Sequence, residues 1–203
     1  MKNLIVLFVA LSLLSCKKEP VYGPLNLKDG QEVELLVDHH YAADRDPLVK
    51  LPENINAGSS LSGFLERQAG YSYHVIATFR VNDPGLQDAP AYYYEFKKVI
   101  SAEKYNGNES FTVQLIIAPV PGGPYMRLNK QGNDYYLIPD KLQLTYADTA
   151  VQTQLEEIWQ NVQAIRANPT STRPNWSRIK ATVTHDPNKF GKAYLVQQLE
   201  FVK

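Results

Sequence analysis

The chain of 203 residues has one cysteine, Cys16, and its charges cancel, with 21 lysines and arginines against 21 aspartates and glutamates. A single thiol excludes an internal disulfide and any paired-cysteine zinc site. No basic stripe interrupts the balance, which excludes a nucleic-acid partner, because phosphate binding needs clustered Lys and Arg. There is no Gly-x-Ser-x-Gly elbow, no phosphate loop and no His-Glu-x-x-His pair. Their absence argues against the common hydrolases and nucleotide enzymes, although a convergent triad needs no local motif. The longest apolar run, Leu4 to Leu14, is broken only by Ser12. It is too short to span a bilayer, which takes about 20 apolar residues.

What that run does match is a secretory signal. Lys2 supplies the basic start, Leu4 to Leu14 the apolar region, and Ser15 a small residue just before Cys16. The order resembles the lipobox of bacterial lipoproteins. That resemblance implies a signal peptide over residues 1–15, a diacylglyceryl group on the Cys16 thiol, and an acylated new amino terminus. An ordinary signal peptide with Cys16 a stray thiol is the alternative. Each buried acyl methylene contributes about 0.8 kcal/mol, so a three-chain anchor would be close to permanent. The expected location is the bacterial cell envelope, as an outer-membrane lipoprotein on the periplasmic or outer face. The expected partner is the membrane, through the lipid, and no further cofactor is expected.

Lys17-Lys18-Glu19 loosely resembles the charged run that acts as an export signal in surface lipoproteins of Bacteroidetes; it equally suits the start of a solvated tether. Pro20, Gly23 and Pro24 make residues 16–29 an extended linker. The thirteen residues after Cys16, at about 3.3 Å each, reach at most about 43 Å.

Residues 30–203 are expected to form one β-rich domain, with a possible boundary between sub-lobes near 103–110. "GYSYHVIATFRV" alternates Tyr71, Tyr73, Val75, Ala77, Phe79 and Val81 against Ser72, His74, Thr78 and Arg80, a clear strand pattern. "AYYYEFKKVIS" is its return strand, across a loop holding the turn former Asp83-Pro84-Gly85. Further strands are expected at Val33–Tyr41, over "SFTVQLIIA", in a hairpin around Gln131-Gly132-Asn133, at "KLQLTY", and in a last hairpin across "DPNKFG". Residues 42–60 read as a long connection. Val151, Leu155, Ile158, Val162 and Ile165 recur at helical spacing, with Asp148 or Thr149 as N-cap and Asn168-Pro169 as terminator, which predicts a helix over 149–167. About nine strands and one helix make a mainly β (α+β) fold. An antiparallel sheet, sandwich-like or partly closed into a barrel, would carry the helix on one side or end.

From "LSGFLERQAGYSYHV" to "AYYYEFKKVIS" the pattern resembles a family of bacterial lipoprotein domains, domain-of-unknown-function family 4377. The matching residues are Gly63-Phe64, Gly70-Tyr71, Tyr73, Pro84, Asp88 and Tyr94, within roughly residues 31 to 102. The chain lacks the cysteine and tryptophan that members often carry before the Gly-Phe pair. The resemblance implies location and fold; no catalytic residues come with it.

Chemistry is most expected in "VDHHYAADRD". On a continuing strand Asp38 and His40 would share a face, with His39 on the other. If His74 on the neighbouring polar face came close, Asp38, His40 and His74 could hold a divalent metal or work as an acid-base set. Solvated side chains at a strand end are the alternative. Tyr92, Tyr94, Tyr135 and Trp176 could make an aromatic platform for a sugar or a partner protein, or could be core. His185-Asp186 reads as part of a turn. Asp148-Thr149-Ala150 resembles the short sites that Bacteroidetes glycosylate, in competition with the helix cap. Three functions follow: a non-enzymatic binding module for a glycan, peptide or envelope protein; a metal-dependent or other hydrolase centred on Asp38, His40 and His74; and an assembly subunit offering an edge strand.

Overall fold

The computed structural model describes residues 19–86, 88–118 and 123–203; Cys16 and the signal-like segment before it lie outside the described residues. The first part of the chain builds six strands: β1 (Glu32–Val37), β2 (Leu48–Lys50), β3 (Ile55–Asn56), β4 (Leu61–Ser62), β5 (Tyr71–Val81) and β6 (Tyr92–Lys104). They form one sheet in the order β3-β2-β1-β5-β6-β4. In β1, Val33, Leu35 and Val37 turn inward and Glu32 and Glu34 outward, the period-2 pattern of a strand with one wet face. The long β5–β6 hairpin is the spine. Register shifts at His74/Val75 and Ile76/Ala77 bend it, as bulges do, over a core of Leu35, Val75, Phe79 and Tyr94.

The chain then crosses over residues 105–110 into a second sheet. Its elements are β7 (Phe111–Gln114), the short ribbon β8 (Ile116–Ile117) and β9 (Tyr125–Met126), then β10 (Asn129–Gln131), β11 (Asp134–Ile138), β12 (Leu142–Tyr146), helix α1 (Thr149–Ala167), β13 (Arg178–His185) and β14 (Ala193–Val202). The sheet order is β10-β11-β12-β14-β13-β7. This sheet and α1 enclose a second core, separate from the first, with Leu115, Leu144, Leu155, Ile158 and Ile179 at its centre. Among the described residues the fold is mainly β with one helix.

Three expectations need correction. The sheets are mixed, not wholly antiparallel: β12 runs parallel to β14, and β4 to β6. Parallel neighbours need a crossover of a dozen or more residues, and α1 with β13 supplies it. The strand expected over Val33–Tyr41 ends at Val37, because the Asp38 carboxylate accepts from the His40 backbone N–H at 3.0 Å and turns the chain. The connection expected over 42–60 contains β2 and β3, which are too short to show a period and form by pairing outward from β1.

Helix α1 starts where its cap allows. Asp148 accepts from the Val151 N–H at 2.9 Å, and Val151, Leu155, Ile158 and Val162 bury one face while Ile165 is half-buried. Asp148→Ala should therefore cost about 1 kcal/mol, read as a lower urea midpoint with unchanged denaturant slope.

Candidate functional site

The residues richest in chemistry gather where the two sheets meet. Loop 38–47, which follows β1, is pinned from both sides. The Arg67 guanidinium donates to Asp46 Oδ2 at 2.9 Å and to the Asp38 carbonyl at 2.7 Å. From the second sheet, Tyr194 donates its hydroxyl to the Tyr41 carbonyl at 2.7 Å and Arg127 donates to the Ala42 carbonyl at 3.0 Å. The Asp44 carboxylate accepts from the Gln114 N–H at 2.6 Å. Tyr41, Ala42 and Ala43 pack on the second core, so this loop of the first sheet is built into the second.

Its turn brings together a group of imidazoles. His39 Nδ1 and His185 Nε2 share a hydrogen bond of 2.9 Å, and His39 Nε2 lies 4.0 Å from Asp38 Oδ1. His40 Nδ1 bonds Asp38 Oδ1 directly. Tyr105 stacks on His39 with centroids 3.7 Å apart and planes 11° apart. Phe111 meets His40 edge-on, and Phe111, Phe190 and Tyr194 surround His185. Burial first, then the neighbouring His39 and His40, depress the His185 pKa to about 4. His39 is lowered by burial and by His40. Both rings are therefore neutral at pH 7, each with a lone pair to give. Burial raises the Tyr194 phenol, which stays protonated.

The expected trio of Asp38, His40 and His74 does not assemble. His74 sits beside Leu36 in the β1–β5 register and bonds Glu34 Oε2 at 3.0 Å on the solvent side of the first sheet. Because β1 stops at Val37, alternation does not reach residues 38–40. His39 and His40 therefore come together, their rings 3.8 Å apart, where a strand would have separated them. His185, read from sequence as part of a turn, is the missed member. Asp186 does serve the turn, accepting from the Asn188 N–H at 2.8 Å.

The aromatic platform is not formed either. Tyr94 lies in the first core with its hydroxyl on the Ala57 carbonyl at 3.0 Å. Tyr135 lies in the second core, donating to Glu156 at 2.6 Å. Trp176 packs on Phe201, and Tyr92 is half-buried against Phe79. Strand alternation puts one member of each tyrosine pair inward, and here it is the member expected to bind.

Beside the imidazoles, a cleft of about 640 Å³ opens between the sheets, lined by Tyr41, Gln68, Tyr136, Lys141, Gln143 and Lys192 among others. The Arg67 guanidinium and the Lys141 ammonium each lie 4.8 Å from the Tyr41 ring centroid, within cation–π range. Among the described residues no helix is long and apolar enough to cross a membrane. Comparison with protein-family models, with curated proteins and with solved structures finds no match to this chain.

Proposed function

We propose that the protein is a lipid-anchored bacterial envelope module that binds a saccharide in the cleft between its two sheets. The observation that carries this is the cleft itself. Its volume falls in the range of small-molecule sites, about 300–1,000 Å³, and such sites favour the seam between packed units. Its wall mixes amides, ammonium groups, the carboxylates of Glu66 and Asp140, and the ring of Tyr136. Donors and acceptors of both signs suit a ligand of many hydroxyls, each of which donates and accepts, better than a phosphate or an apolar molecule. The order of Lys2, the apolar run, Ser15 and Cys16 supports the anchor; the linker expected over residues 16–29 is shorter than that, because Tyr22 bridges Leu27 and the Leu25 and Leu27 side chains are buried in the first core. An assembly role through an edge strand has less support. Among the described residues β4 covers β6 only at Tyr94 and Glu95, and the exposed Lys98 stands on the uncovered part, a charge of the kind that blunts free edges.

Calorimetric titration of the purified full-length chain with a panel of neutral and charged oligosaccharides tests the reading. One saccharide class should bind, and Tyr136→Ala or Gln143→Ala should weaken it about 10-fold, the loss of one good contact. Binding to no member of the panel, or binding that both variants leave untouched, rejects it.

A further inference from the structure

We propose that Asp38, His39 and His40 form a site for a divalent transition metal, and that His185 reaches from the second sheet to fix the His39 ring. The site is separate from the cleft and stands without it, although Tyr41 is the next residue of the same loop.

Among the described residues these three offer one ligand atom each within 4.8 Å of one another. Zinc bonds of about 2.0–2.2 Å place neighbouring ligand atoms about 3.3 Å apart in a tetrahedron. The 4.0 Å between His39 Nε2 and Asp38 Oδ1 need close only slightly, and the contact between His40 and Asp38 would open to admit the ion. Two imidazoles and one carboxylate select zinc, copper, nickel or iron over magnesium and calcium, which take oxygen. A fourth position is left to water or to a further group. Glu109, on the crossover, adds its charge to that of Asp38 at His39.

The second observation is how His39 is held. A metal-ligating histidine donates its other ring N–H to a fixed acceptor, which sets its tautomer and orientation. If His39 Nδ1–H donates across the 2.9 Å to His185 Nε2, the His39 Nε2 lone pair is turned toward Asp38. The His185 ring is committed to this contact, because its Nε2 meets His39 and its Nδ1 is buried without a partner. Tyr105, stacked on one face of His39, stops the ring from turning away.

The test uses the full-length chain, stripped with chelator and titrated with Zn²⁺, then with Co²⁺ and Cu²⁺ as spectroscopic probes. One equivalent of Zn²⁺ should bind. His39→Ala, His40→Ala and Asp38→Asn should each abolish stoichiometric binding, while His74→Ala should not change it. His185→Phe should keep the stoichiometry but lose about 10- to 100-fold in affinity and shift the Co²⁺ visible bands. His185→Gln, which retains an acceptor, should recover both in part; a merely structural role would not show that recovery. Pulsed EPR of the Cu²⁺-loaded natural chain needs no folded variant and should count two imidazole ligands. No stoichiometric metal, fewer than two imidazoles, or equal loss in His74→Ala overturns the site. Identical affinity and bands in His185→Phe overturn the role of His185 alone.

Discussion

Asp46→Ala should destabilise the folded chain by about 1 to 3 kcal/mol, the range for leaving a largely buried polar group without its partner. The Arg67 side chain is only 12% exposed and Asp46 24%, so water screens the pair only in part. Arginine cannot escape by releasing its proton. Its Nε has no partner already, and without Asp46 the fork would keep only the Asp38 carbonyl. Asp46 Oδ2 also accepts from the Ala42 N–H at 3.2 Å, and that donor would be orphaned with it. Loop 38–47 should loosen as a unit, so saccharide and metal affinities should fall with stability. Urea unfolding of Asp46→Ala, Arg67→Met and the double variant separates the causes. The double variant should recover a large part of the loss, since no charge is left buried alone. A loss below about 1 kcal/mol would show the pair to be screened like a surface bridge.

That loop is also where the sequence stopped being readable. β5, β6, α1 and the β13–β14 hairpin follow from patterns held within one segment: alternation, helical spacing, a cap, a turn. Such patterns report one buried face, and each of these elements has one. β2, β3 and β4 have two or three residues and exist only because β1 and β6 are there to pair with. The parallel β12–β14 pair depends on where the helical crossover returns the chain. At the site, Asp38 and His40 were legible as chemistry, but their partner was not. His185 is 146 residues from His39, and no local pattern reports a contact between two sheets with separate cores. The choice of tyrosines failed by one position. The alternation that says one ring of Tyr135-Tyr136 must face outward does not say which, and Tyr136 is the one on the cleft.

Gly70→Ala should cost about 2 to 5 kcal/mol, and the comparison with Gly30→Ala shows how tightly the two sheets dock. Both glycines have φ of +77°, where an alanine loses about 1–2 kcal/mol from backbone strain alone. A Cβ on Gly30 meets nothing within 4 Å, so Gly30→Ala should show that strain and no more. On Gly70 the Cβ would stand 2.7 Å from Phe190 Cζ and 3.2 Å from His185 Nδ1. Retreat is blocked, because the Gly70 N–H donates to the His39 carbonyl at 3.0 Å and its carbonyl accepts from the Tyr105 N–H at 2.9 Å. Phe190 must yield instead, and it is held edge-on by Tyr71 with the Lys104 ammonium 4.4 Å from its centroid. Overpacking of this kind adds about 1–3 kcal/mol. Denaturation midpoints of the two variants give the difference directly. Equal losses would mean that Phe190 swings aside freely and that the sheets are loosely joined. Because Gly70 borders both His39 and His185, Zn²⁺ affinity should drop in Gly70→Ala and hold in Gly30→Ala. A drop in both would mean that the metal senses general stability, and a drop in neither that the imidazoles tolerate movement between the sheets.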